Sequence, residues 1–250
     1  MHRFFLPASA FQGERVIIQS APARQIARVL RLQPGEKVLV LDNQGSEYLV
    51  CLEQVAADRV VAKIEEVHPA TGISRHSVTL YQALLKGERF EWVLQKATEL
   101  GVSAIVPVYS QRTIPRYSAP EQGRKMARWG RIVQEASEQC GRGRLPILGE
   151  PIGFLEACRL AKGFSYLPWE EEKERSFTTC LQEVKVLADT QPSLAINLFI
   201  GPEGGFDPNE AAYGERHGIV SVSLGERILR SETAAMAALT LLFFVLGEIK

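Results

Sequence analysis

The run Ile196-Asn197-Leu198-Phe199-Ile200 is an apolar strand that passes without a spacer into Gly201-Pro202-Glu203-Gly204-Gly205-Phe206. A strand followed at once by glycines, a proline and a carboxylate requires a backbone that turns sharply and stays bare at the strand end. Bare backbone at the carboxyl end of a strand is where open α/β sheets bind ligands. The next helix is well signalled: Asp207 can cap it, Pro208 suits its first turn, and Glu210 stands three residues after the cap. A second loop repeats the design. The short strand Ile219-Val220-Ser221-Val222 ends at Leu224-Gly225, and Ser231 is expected to cap a closing helix from Glu232 to Leu246. Neither loop has the spacing of a P-loop or of a dinucleotide fingerprint. A carboxylate inside the glycine loop disfavours a phosphate and suits a ligand carrying hydroxyl or ammonium groups. The alternative is a tight structural turn with no ligand.

The rest of the chain supplies a setting for these loops. Residues 1 to about 68 read as short strands (Arg3 to Leu6, Val16 to Ile18, Lys37 to Leu41, Tyr48 to Leu52, Arg59 to Ile64), the pattern of a small barrel. One helix is expected from about Ala23 to Leu32, with Ile26, Val29 and Leu30 on its inner face and Arg24, Arg28 and Arg31 elsewhere. His68-Pro69-Ala70-Thr71-Gly72 is the expected linker, placing one domain at 1–70 and a second at 73–250. Beyond it strands and helices alternate: a strand from Val78, a helix from Arg89 to Leu100 ended by Gly101, a strand Ala104 to Val108, and a long helix Pro120 to Cys140 with Ser118 and Glu121 in capping-box spacing. A helix near Phe154 to Ala161, a strand Phe164 to Leu167 and a helix Thr178 to Ala188 then lead to the strand at Ile196. This order describes an α/β fold, a mostly parallel sheet with helices on both faces.

Composition narrows the partners. The longest apolar run, Ala234 to Leu246, is thirteen residues, too short to cross a bilayer, and no charged start precedes an apolar leader. Four scattered cysteines without a Cys-x-x-Cys fit reduced thiols in a cytosol, and the four histidines show no ligand spacing, so no metal is expected. Net charge is zero, but it is segregated. Eight basic residues stand against three acidic ones from Arg112 to Arg144, and six against two from Met1 to Lys37, with balancing acid at Glu170 to Glu174. Local basic surfaces that could meet RNA are therefore compatible with a neutral chain, as are ordinary solvated helix faces.

The blocks Ile-Gly-Pro-Glu-Gly-Gly-Phe (200–206) and Leu-Gly-x-Arg-Ile-Leu-Arg-x-Glu-Thr-Ala (224–234) resemble the RsmE family of the SPOUT superfamily. So do Gln-Lys-Ala-Thr-Glu-Leu-Gly-Val (95–102), Ala-Ser-Glu-Gln-Cys-x-Arg (136–142) and His-Arg-Phe-Phe (2–5). The resemblance implies an enzyme that uses S-adenosylmethionine to methylate N3 of a uridine in 16S ribosomal RNA of the small subunit. It implies a PUA-like RNA-binding barrel at the N-terminus, a deep trefoil knot at the C-terminus, and a cytoplasmic homodimer. The cofactor contacts it implies fall on Ile200, Gly201, Glu203, Gly204 and Gly205, then on Leu224, Gly225, Ile228 and Leu229. The candidate catalytic residues are Arg230, Arg112 and Glu138. The candidate RNA-binding residues are Arg3, Arg28, Arg112 and Arg142.

Each residue also has a plainer reading. Arg230, fixed between the second loop and the last helix, serves the reaction or ties the structure. Arg112 follows a strand end and can hold phosphate or base. Glu138 lies one turn from Arg142 and could simply pair with it. Glu232 is a further candidate beside them. Two other functions remain open at this point: a non-catalytic RNA-binding or assembly factor that keeps the fold, and a ribose 2′-O-methyltransferase of the same superfamily.

Overall fold

The computed structural model describes Met1 to Ile249. The chain divides into two compact units, Met1–Ile73 with Ser137–Leu145, and Ser74–Ala136 with the chain from Pro146 onward.

The first unit is a six-stranded sheet of β1 (Arg3–Phe5), β2 (Phe11–Gln12), β3 (Arg15–Gln19), β4 (Lys37–Leu41), β5 (Ser46–Val55) and β6 (Arg59–Pro69). Its order is β1-β4-β5-β6-β3-β2; β1 runs parallel to β4 and the other pairs are antiparallel. Alternation places Val16 and Ile18 of β3, and Val38 and Val40 of β4, in one core with Phe4, Ile26 and Val50. Two expectations need correction. The helix expected from Ala23 is a short α1 (Ser20–Arg24) followed by a π-helical stretch, Gln25–Leu30, which ends at Arg31 in the left-handed region. Wider π winding shifts the phase of the apolar stripe. Ile26 stays buried, while Val29 points outward and is 73% exposed. The expected linker is partly strand, because Pro69 and His68 pair with Ser46 and Glu47 at the start of β5.

The second unit is a sheet in which every pairing is parallel. Its strands are β7 (Ser77–Ala83), β8 (Ala104–Tyr109), β9 (Ile147–Leu148), β10 (Ile152–Gly153), β11 (Phe164–Pro168), β12 (Ala195–Ile200) and β13 (Ile219–Val222). The order is β10-β8-β7-β12-β11-β13, with β9 also on β8. Its helices are α2 (Arg89–Leu100), α3 (Ala119–Cys140), α4 (Phe154–Leu160), α5 (Phe177–Thr190), α6 (Pro208–Arg216) and α7 (Ser231–Val245). The last turn of α3 is counted with the first unit. Successive side chains of β12 explain the layering. Ile196, Leu198 and Ile200 enter a core with Phe90 of α2, Trp129 of α3, Leu181 of α5 and Leu239 of α7, whereas Phe199 enters a second core with Phe154 and Cys158 of α4 and Phe206. The polar Asn197 between them is satisfied, its amide donating to the Lys162 carbonyl and the Ser165 hydroxyl. Because all strands point one way, the loops after β7, β11, β12 and β13 emerge at one edge. Helix α7 packs against α2, α5 and β12 beneath them.

Candidate active site

The loop after β12 is held from three sides. The Gly205 amide donates to the Pro202 carbonyl at 3.0 Å, and Gly205 has φ +69°, a conformation suited to glycine. The Glu203 carboxylate accepts the Lys86 amide at 3.0 Å and pairs with Arg89 at 3.0 Å, which fixes the loop to the β7–α2 connection. Arg112, in the loop after β8, donates to the Gly204 carbonyl at 2.9 Å and lies 3.5 Å from Asp207. The capping box at α6 forms as the sequence predicts: Asp207 accepts the Asn209 amide at 3.0 Å, and Glu210 accepts the Asp207 amide at 3.1 Å. The Asn209 amide bond, with a smaller contribution from Arg112, holds the Asp207 carboxyl below the usual carboxylate range.

The second loop is tied to the first by a bond that sequence analysis missed. Ser231 is not the cap of α7; Arg230 occupies that position without a side-chain cap bond. The buried Ser231 hydroxyl instead donates to the Gly201 carbonyl at 2.5 Å and accepts from Gln82 Nε2 of β7 at 3.0 Å. One hydroxyl thus joins β7, the first glycine loop and α7. Replacing Ser231 by alanine is expected to lower stability by about 1–3 kcal/mol, because it leaves a buried carbonyl and amide short of a partner. Thermal unfolding of the variant checks it.

Between the two loops lies a cleft in two adjoining lobes. Both lobes are bordered by Pro168, Glu170, Ile228, Leu229 and Ala234. Ile200, Gly201, Glu203 and Gly205 line one lobe, and Leu224 and Gly225 line the other. Eight of the nine residues expected at a cofactor therefore converge. Gly204 is the exception: it borders neither lobe, and a Cβ there would meet Arg112 at 3.5 Å. A Cβ on Gly205 would lie 1.9 Å from the Glu170 carboxylate, and one on Gly201 would lie 3.2 Å from the Phe206 ring. The cleft exists because these positions have no side chain. Glu170 was read from the sequence only as balancing charge. Its carboxylate has no partner among the described residues, whereas that of Glu203 is already engaged. The available signal was its place two residues past the end of β11, at the carboxyl edge of a parallel sheet.

The remaining candidates separate. Arg230 is exposed, directly before Ser231. Glu232 borders a second hollow with Lys86, Arg89 and Trp92, and its Oε2 is enclosed without a hydrogen-bond partner. Arg3, Arg28, Glu138 and Arg142 belong to the first unit. There Glu138 accepts the Phe5 amide at 3.0 Å and Arg3 donates to the Gly141 carbonyl at 3.0 Å. Arg142 is 8% exposed, its Nε donating to the Arg144 carbonyl, so it serves as an internal tie; Arg28 is exposed. Burial pushes the Cys158 thiol up to about 12, which leaves it an inert core residue. Among the described residues no group of three or more His, Cys, Asp or Glu is placed to hold a metal.

The cleft has the composition a small polar cation with an aromatic ring requires: apolar walls, exposed glycine backbone and an unpaired carboxylate. A family model described as RNA methyltransferase domain matches residues 73–243, and one described as RNA methyltransferase PUA domain matches residues 26–65. Fold and site together thus define an RNA-methyltransferase architecture. The ribosomal RNA small subunit methyltransferase E of Mesomycoplasma hyopneumoniae is 32% identical over 240 residues, 96% of this chain and 98% of its own. The crystal structure of the protein of that name from Neisseria gonorrhoeae, bound to S-adenosyl methionine, superposes with a TM-score of 0.84 at 32% identity and covers 98% of each chain. A methyltransferase from Legionella pneumophila in complex with the same cofactor gives 0.82 at 30% identity, over 97% of this chain and 96% of its own. The chain belongs to the ribosomal RNA small subunit methyltransferase E family.

Proposed function

We propose that the protein methylates N3 of a uridine in 16S ribosomal RNA, with S-adenosylmethionine bound in the cleft between the two glycine loops. The observation that carries this reading is the convergence of Ile200, Gly201, Glu203, Gly205, Leu224, Gly225, Ile228 and Leu229 on one cleft. The residues present fit the cofactor. Ile228, Leu229 and Pro168 offer apolar walls to an adenine, bare glycine backbone offers hydrogen bonds, and Glu170 offers a free carboxylate to hydroxyl or ammonium groups. When bound, the cofactor supplies a methyl group already activated by its sulfonium charge. The chain's own tasks are alignment and charge. Arg112 and Ser231 hold the first loop in shape, and Arg230, the exposed neighbour of Ser231, is assigned to meet the carbonyl oxygens of a uracil as its imide proton leaves.

Residues 1–70, within the first unit, serve as the RNA-binding domain, with Arg3 and Arg28 as its candidate contacts. Residues 73–250, apart from Ser137–Leu145, which group with the first unit, form the catalytic domain, with Arg112 as a further RNA contact. Glu138 and Arg142 act by holding β1 and the loop after α3 rather than by touching the base. A C-terminal trefoil knot is part of this reading, and the packing of α7 against the central strand β12 after the edge strand β13 is compatible with it.

The working unit is a homodimer in the cytoplasm. Among the described residues no helix is long and apolar enough to cross a membrane. The support for a dimer is the outer face of α7, where Leu241 and Phe244 are exposed on the helix packed beside α2, which itself exposes Trp92. Phe244→Glu is expected to yield a monomer in sedimentation at micromolar concentration, and an unchanged dimer would remove that face from the interface.

Incubation of small-subunit particles with labelled cofactor, followed by nucleoside analysis, tests the whole assignment. 3-Methyluridine is the expected product. A 2′-O-methylated nucleoside would move the protein to the ribose enzymes, and RNA binding without product would make it a non-catalytic factor.

A further inference from the structure

A groove of about 670 Å3 opens at the carboxyl ends of β8 and β10, where it is lined by residues of α4 and α6. Three guanidiniums border it, and none forms an ion pair among the described residues: Arg116, Arg159 and Arg216. Two of them are held in place. Arg116 donates to the Ser110 carbonyl at 3.1 Å and lies 4.9 Å from the centre of the Tyr109 ring. Arg159 Nε donates to the Tyr213 hydroxyl at 3.1 Å. Arg216 sits 5.7 Å over the Tyr213 ring, which also stacks on His217 at 4.2 Å. The Tyr109 hydroxyl is enclosed and has no hydrogen-bond partner among the described residues.

Of the two acids bordering the groove, Glu210 is occupied by the Gln111 and Asp207 amides. Glu156 is exposed. The groove is thus cationic, aromatic and built on fixed side chains. Its wall at Gln111 is adjacent in sequence to Arg112, which grips the Gly204 carbonyl.

We propose that this groove binds a single-stranded segment of RNA beside the nucleotide that is modified, an inference that rests on the reading of the protein as an RNA methyltransferase. Guanidiniums without carboxylate partners fit phosphates, and preorganised ones lose less entropy on binding. The tyrosine rings lie beneath Arg116 and Arg216 and help to fix them, and the groove adjoins, through Gln111 and Arg112, the loop of the proposed cofactor cleft, a position that favours RNA over a polyanionic peptide. Sequence reading saw only part of the charge, since Arg159 and Arg216 lie on separate helices and join Arg116 only through the sheet order.

The test is an Arg159→Ala/Arg216→Ala double variant, with Lys185→Ala on the exposed side of α5 as control. Fluorescence anisotropy with a labelled single-stranded uridine 12-mer, over about 50–200 mM salt, is expected to show about a 10- to 100-fold loss of affinity and a salt slope reduced by about 1.4, the value for two single-strand phosphate contacts. S-adenosylmethionine affinity should be unchanged in all three proteins. Arg159→Lys/Arg216→Lys, which keeps charge and loses the planar fork, should fall between. In methylation assays the double variant should raise KM for RNA and keep kcat. Parental RNA affinity and slope in the double variant would overturn the groove, and so would displacement of the RNA by a glutamate 12-mer as readily as by unlabelled RNA. The two readings fail separately: parental protein that makes no 3-methyluridine removes the enzyme assignment, whereas active protein with an unaffected double variant removes only the groove.

Discussion

Gly205→Ala is expected to bind S-adenosylmethionine at least about 100-fold more weakly than the parent, whereas Gly204→Ala, one residue earlier, changes the affinity by less than about threefold. The two glycines are neighbours in sequence and opposites in setting. Gly205 has φ +69°, so any side chain there costs about 1–2 kcal/mol in backbone strain alone. Its Cβ would also arrive 1.9 Å from a Glu170 carboxylate oxygen. That carboxylate ends a flexible side chain, so it moves aside rather than unfolding the protein, and Glu170 borders both lobes of the cleft. The substitution therefore displaces the carboxylate proposed to meet the cofactor. Gly204 would place its methyl at 3.5 Å from Arg112, an ordinary contact on the outer side of the loop. Calorimetric titration of both variants, with thermal unfolding as a control on the fold, separates the cases. Equal affinities for the two would show that the cleft is not the cofactor site.

The second large effect concerns Arg230. Its side chain is exposed, and it directly precedes Ser231, whose hydroxyl is bonded to Gly201 and Gln82. A guanidinium on this exposed side chain, next to a residue that lines the cleft, is available to a substrate. N3 of uracil is an imide nitrogen that becomes nucleophilic only as its proton leaves and charge moves to the flanking carbonyl oxygens. A guanidinium favours that anion and does not titrate near neutrality. Arg230→Lys keeps the charge and loses the planar pair of donors. It is expected to lower the single-turnover methylation rate by about one to three orders of magnitude with cofactor affinity nearly unchanged. The sign of the pH dependence follows from the same step. The reactive form of the substrate is the deprotonated one, so the parental rate should rise from neutral into alkaline pH. A flat profile together with a fully active Arg230→Lys enzyme would remove both the anion and the residue assigned to it.

Local chemistry made much of this architecture readable. The helix Arg89–Leu100 and its stop at Gly101, with φ +118°, follow from an apolar stripe and a glycine at the C-cap. The capping box at Asp207 and Glu210, and the strands Lys37–Leu41 and Ile219–Val222, were likewise written in short stretches. Features set by distant partners were not. The two-residue strands β9 and β10 exist only because β8 offers an open edge. The π winding of Gln25–Leu30 leaves no trace in residue type, and it reversed the facing of Val29. At the site, the glycines announced bare backbone, but which of them borders the cleft depends on Glu170, contributed by a different strand end. Ser231 looked like a helix cap from its neighbours in sequence and is instead a fastener between segments 149 and 30 residues away.

That fastener has a consequence for synthesis. The walls of the cleft come from residues 168–173, 200–206 and 223–234, and the hydroxyl that joins the loops is residue 231 of 250. A chain emerging from the ribosome has its first unit's strands and most of its parallel sheet before the second wall or the closing helix exists. Cofactor capture at this cleft would therefore wait for residues 223–234, which follow every strand of the parallel sheet, and binding of S-adenosylmethionine would report closure of the second wall rather than aid early folding.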